Sequence, residues 1–168
     1  MSNELPSFVC SSCGKEHSGL PTDRAFQLPD QVWSIPESER KDRAKWTSDL
    51  CQMGNDYFVR SFLPIPFRNR AGHFGWGVWV KVSWPVFQRY REIYDEDASD
   101  EPIAEGELAN ALSYDLPSVV PVKLKFGMPS DRPHVFFSDE ASHPLAKEFA
   151  SGITDARYHE ILASIGAA

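Results

Sequence analysis

No apolar run in this chain approaches the roughly 20 residues that a bilayer-crossing helix needs. Cysteine is scarce: there are three, an odd number, which argues against a disulfide framework. Positive charge is in deficit, with 17 Lys and Arg against 24 Asp and Glu and a formal net charge of −7. Such a protein is repelled by phosphate backbones and anionic membranes alike, so neither nucleic acid nor membrane is expected as a partner. The opening MSNELPSFVC has neither the basic start nor the apolar stretch of a secretory signal, and the expected home is the reducing cytoplasm. Catalytic signatures are missing too. His159-Glu160 is followed by Ile-Leu-Ala, so there is no HExxH, and no GxSxG elbow, P-loop or GxGxxG occurs.

What is present suits one folded domain. The chain has 168 residues, 42% of them hydrophobic, which is enough for a proper core. Thirteen prolines against ten glycines point away from a helix bundle and toward a mixed fold with many turns. Strand signals dominate the middle. Tyr57, Val59, Leu63, Ile65 and Phe67 fall on one face with period two, with Ser61 among them. Pro64 and Pro66 remove donors on the other face, as at an edge or where pairing ends. After a loop over residues 68–73, Phe74, Trp76, Val78, Val80, Val82 and Trp84 take every even position, completing an antiparallel hairpin. Gly75 and Gly77 beside Trp79 on the opposite face ask for a ring, a backbone or a ligand to approach closely. Val120–Phe126 and Val135–Phe137 read as two further strands.

Helices are expected on the flanks. Ser34, Pro36 and Glu37 read as the start of a charged surface helix running to about Trp46. Pro85 opens another, with Val86, Phe87, Tyr90, Ile93 and Tyr94 on one side. A short helix near Glu107–Leu112 is possible on pattern. Pro144–Ser151, stopped by Gly152, and about Thr154–Ile165 close the chain, with His143 before Pro144 suited to capping. The fold class is therefore α+β: a single domain over 1–168, mainly an antiparallel sheet flanked by helices. Residues 1–30 form a Cys/His knuckle and irregular segment ahead of an α+β core over 31–168.

The strongest chemical signal is Cys10-x-x-Cys13-Gly14, a turn that lets two sulfurs face one point. His17 can supply a third ligand and Cys51 a fourth, closing a structural Zn2+ site of three thiolates and one imidazole. Asp49 and His73 stand in reserve for the fourth position. Cys10 and Cys13 as a redox pair, or all three thiols unliganded with Cys51 a small core residue, are the competing readings. Arg68, Arg70 and His73 at the hairpin tip could hold an anion, though a solvated loop is the plainer reading. Trp76, Trp79 and Trp84 read as packing rather than as a base-stacking platform, because no basic stripe accompanies them.

Charge is unevenly spread. Residues 1–84 carry one net positive charge and residues 85–168 eight net negative. The window Glu92 to Glu107 holds Glu92, Asp95, Glu96, Asp97, Asp100, Glu101, Glu105 and Glu107 with no Lys or Arg. A solvated, mobile loop is the plain reading, and a contact surface for a basic protein the sharper one. Together these point to a non-catalytic, zinc-binding protein-interaction or regulatory module, with toxin neutralisation as one such role. The alternative is a small zinc- or thiol-dependent enzyme using Cys51.

Cys10-x-x-Cys13-Gly14-x-x-His17, Leu20-Pro21, Ser48-Asp49-Leu50-Cys51, Tyr57-Phe58-Val59-Arg60, Trp76-Gly77-Val78-Trp79-Val80 and His143-Pro144-Leu145-Ala146 follow one another over nearly the whole chain. In that order and spacing the sequence resembles the bacterial family catalogued as Domain of Unknown Function 2199. Segment 61–66 departs from the pattern, with Ser61 and Pro64 where a Gly and an acidic residue are expected. The resemblance implies a bacterial origin and a Cys/His set used together; it lends no activity.

Overall fold

The computed structural model describes residues 8–9, 16–17, 21–129 and 131–166, the first two pairs in their backbone only. Strands β1 (Phe8–Val9) and β2 (Glu16–His17) pair antiparallel, Val9 opposite Glu16. The remaining strands form one sheet: β3 (Asp23–Ala25), β4 (Ala44–Trp46), β5 (Leu50–Met53), β6 (Asp56–Pro66), β7 (His73–Val82), β8 (Ala104–Leu108), β9 (Pro121–Lys125) and β10 (His134–Phe136). The hairpin β6–β7 is its spine, paired from Tyr57↔Val82 to Pro66↔His73. From β7 the sheet continues antiparallel through β8, β9 and β10, and β10 returns to β6 in parallel at His134↔Phe62. The sheet thus closes on itself as a five-stranded barrel. β3 extends the spine beside Gly75–Gly77, and β5 then β4 extend it beside β6.

The alternation read from the sequence sets the barrel interior. Val59, Leu63, Ile65, Phe74, Trp76, Val78 and Val80 point inward and are almost wholly buried, joined by Val122, Leu124 and Val135. The amides of Arg60 and Phe62 donate away from β7, to the Asp49 and Pro133 carbonyls. Pro64 and Pro66 come next in that series, lacking a donor where β10 has run out, so these prolines do mark the end of pairing. The outer face of β7 answers the glycine question. A Cβ at Gly75 would lie 2.4 Å from the Phe62 ring, and one at Gly77 would lie 2.9 Å from Ala25 of β3. Trp79 is buried in a second cluster with Leu28, Val32, Ala44, Cys51 and Phe58. Its indole N–H donates to the Phe26 carbonyl, and buried Asn110 accepts from its backbone amide.

Five helices are described: α1 (Asp30–Trp33), α2 (Glu37–Arg43), α3 (Trp84–Ile93), α4 (Pro144–Ser151) and α5 (Asp155–Ser164). α2 is a surface helix with no buried residue, as its charge pattern implies, but it stops three residues early. Ala44–Trp46 leave it to pair with β5, because a buried Ala44 and three ladder positions outweigh another helical turn. Ser34 does not cap α2; its hydroxyl donates to the Gln31 carbonyl and Pro36 takes the cap position. Trp84 belongs to α3 rather than to β7, since Ser83 caps the helix through the Val86 amide. The stretch near Glu107–Leu112 is not helical: residues up to Leu108 form β8. α4 and α5 start and stop where expected, with His143 and Thr154 as caps and Gly152 at a φ of 86°.

Candidate functional site

Each predicted metal ligand has a different status. Cys10 and Cys13 lie outside the described residues, and His17 is described in its backbone only. Cys51 is central in β5 and 1% exposed, facing the apolar second cluster. Burial pushes its thiol up to about 12, so at neutral pH it is an inert thiol unless a cation draws the proton off. Among the described residues no group of three or more His, Cys, Asp and Glu is gathered to hold a metal. Of the reserve ligands, Asp49 is engaged elsewhere, and His73 meets the Phe62 ring edge-on at 5.4 Å.

Asp49 marks the more developed site. Thr47 Oγ1 accepts from the amides of Asp49 and Leu50, turning the chain just before β5 and fixing the carboxylate's direction. Its Oδ2 accepts from the Tyr94 hydroxyl at 2.6 Å and from Ser48, and its Oδ1 accepts from Arg132 Nε at 3.0 Å. Burial alone would raise this carboxyl; the Tyr94 and Arg132 hydrogen bonds, the Arg132 charge and Ser48 together leave it below the ordinary value. The groups come from three elements: Asp49 from the edge of the sheet, Tyr94 from the end of α3, Arg132 from the approach to β10. With Phe62, Tyr90, Asp131 and His134 they line a cleft of about 560 Å³. Arg60 stands behind Asp49, donating to the Ser48 carbonyl at 3.2 Å, with its Nε sealed from solvent and without a partner among the described residues.

Sequence reading did not assemble this cleft. Its signal was present only as separate fragments, Ser48-Asp49, Arg60 and the Tyr90/Tyr94 side of the helix opened by Pro85, while Arg132 and His134 carry no pattern of their own. A second cleft of about 510 Å³ opens between β7, β8 and β9, but there Glu105 opposes Lys123 and Glu107 opposes Lys81 across the strands. The hairpin-tip cations have structural work. Arg70 pairs with buried Asp155, and Arg68 donates to Ser151 and the Gly152 carbonyl, pinning the tip to the α4–α5 junction. His143 is a cap: its Nδ1 accepts from the Ala146 amide. Trp76 and Trp79 are core residues, while Trp84 is 46% exposed.

The acidic window is better anchored than a mobile loop. Arg89 holds Glu92 and Glu101, and Asp97 accepts from the Ser99 amide and hydroxyl. The Ala98 amide donates to the Gly127 carbonyl, and Lys125 reaches the Ser99 carbonyl. Asp95, Glu96 and Asp100 remain exposed, with no cation beside them among the described residues. Of these, Glu96 lines a small depression together with Tyr94, Met128 and Asp131.

The family model described as an uncharacterised protein conserved in bacteria, DUF2199, matches residues 9–153. No curated protein and no solved structure matches the chain.

Proposed function

We propose that this chain, which belongs to the uncharacterised bacterial family DUF2199, is a non-catalytic protein-interaction module that receives a basic partner at the end of α3. The observation that carries this reading is the surface around Tyr94 and Met128. These two side chains are 42% and 54% exposed and stand beside Glu96 and Asp131 on chain pinned to the barrel. Tyr and Met are enriched where proteins meet, and a carboxylate rim favours a cationic partner and speeds its arrival. Regulation of that partner, toxin neutralisation included, is the role such a module serves. Structural Zn2+ held by Cys10, Cys13, His17 and Cys51 belongs to the same proposal, as the staple of the amino-terminal segment.

The test is capture from the cell's own lysate, followed by binding measurements with the purified partner. Asp95→Lys, Glu96→Lys and Asp131→Lys together should abolish capture of a basic protein and leave the melting temperature unchanged. Asp97 is left alone because its carboxylate turns the chain at Ser99. A partner bound equally by the reversed protein overturns the reading.

A further inference from the structure

Buried tyrosine hydroxyls ordinarily find a hydrogen-bond partner. Tyr114 donates to Glu148 at 2.8 Å, and Tyr158 to the Pro21 carbonyl. Tyr90 is different. Its ring is buried, the residue being 5% exposed, and stacks on Phe126 with centroids 5.7 Å apart, while its hydroxyl is not sealed from solvent and has no protein partner among the described residues. It lines the cleft beside Asp49. Arg132, at the same wall, uses its Nε on Asp49 and leaves both terminal amino groups without an acceptor among the described residues. Exposed His134 adds a third polar group without a hydrogen-bond partner among the described residues, its ring meeting the edge of Phe62 at 5.4 Å.

The cleft therefore offers hydrogen-bond donors that its own acceptors do not absorb. Asp49 is already occupied by Tyr94, Ser48 and Arg132, and exposed Asp131 stands at the rim. We propose that this cleft is a binding site for a small organic carboxylate, seated on the free edge of Arg132 and the Tyr90 hydroxyl with its apolar body against Phe62. The planar guanidinium matches a carboxylate through paired N–H donors. Two carboxylates in the lining oppose a dianion, which selects a singly charged ligand over phosphate. Arg132 and Arg60 likewise oppose a cation. The site does not rest on the partner surface proposed above, although the two share Tyr90, Tyr94 and Asp131.

Benzoate is a suitable probe, with benzamide as its uncharged counterpart and inorganic phosphate as the alternative anion. Titrations followed by amide resonances should show saturable shifts at Phe62, Tyr90 and Arg132 with benzoate, and none with benzamide. Tyr90→Phe removes only a hydroxyl without a partner, so it should melt like the parent and bind benzoate about tenfold more weakly. Arg132→Lys keeps the charge but not the fork, and a loss of about tenfold or more is expected. Equal responses to benzoate and benzamide overturn the proposal, as does phosphate binding more tightly. Unchanged benzoate affinity in Tyr90→Phe overturns it even if Arg132→Lys fails to fold. Benzoate binding that persists in an Asp95→Lys, Glu96→Lys protein, with Asp131 of the cleft left in place, separates this site from the partner surface.

Discussion

A methyl group added at Gly106 would sit 2.6 Å from the Lys81 carbonyl oxygen and 2.6 Å from Val80 Cγ1. One added at Gly75 would have the Phe62 ring as its nearest neighbour, at 2.4 Å. The difference lies in what can yield. A ring at the wall of an open cleft can swing aside, whereas a carbonyl in a ladder moves only with its strand. Gly106→Ala should therefore cost about 3 kcal/mol and Gly75→Ala about 1 kcal/mol, in that order, by urea unfolding. Gly75→Ala should also disturb the cleft, since Phe62 is the side chain displaced. A close approach over Gly75 and Gly77 was legible in the sequence, because two glycines interrupt an otherwise bulky strand. What approaches was not: Phe62 is 13 residues away along the hairpin, and Ala25 lies on a strand with no alternating pattern.

Helix starts were legible where a proline stood in or just before the first turn, although the expected Ser34 cap of α2 does not form. His143 before Pro144 is one such start, and the cap carries a pH dependence. The imidazole must be unprotonated at Nδ1 to accept the Ala146 amide, and burial lowers its pKa below the ordinary 6.5. The unfolded chain thus binds the proton more readily than the folded one, and stability falls as protons are added. The contribution of His143 is complete above the unfolded value and is lost as pH drops through the lowered folded one. His143→Ser keeps a capping oxygen and does not titrate, so its unfolding free energy should change less between about pH 7 and about pH 5 than the parent's. Element ends set by long-range pairing were not legible. Ala44–Trp46 continue the charged run of α2, and Trp84 continues the alternation of β7. The first is taken from a helix by β5, the second from a strand by the Ser83 cap.

At the scale of the molecule, the proposed zinc staple makes a prediction of its own. The purified protein should contain about one Zn2+ per chain, lost on replacing Cys10 or Cys13 by Ser. Cys51, buried and with its thiol pushed up to about 12, should resist thiol reagents in the folded protein until chelation or unfolding. Protein free of zinc as isolated, with Cys10 and Cys13 reactive at once, would remove the staple.

The period-two faces of β6 and β7, the loop between them, and the capped helices α3, α4 and α5 follow from local chemistry: which side chains share a face, and which residues can cap. Those properties are written in neighbours a few positions apart, so the sequence alone determined them. Closure of the sheet into a barrel rests on the β10 return to β6 at Phe62, 72 positions from His134. That same closure brings Arg132 and His134 to Asp49, Tyr90 and Tyr94. Contacts at such separation depend on the whole chain finding one compact arrangement, and only the tertiary structure decided them.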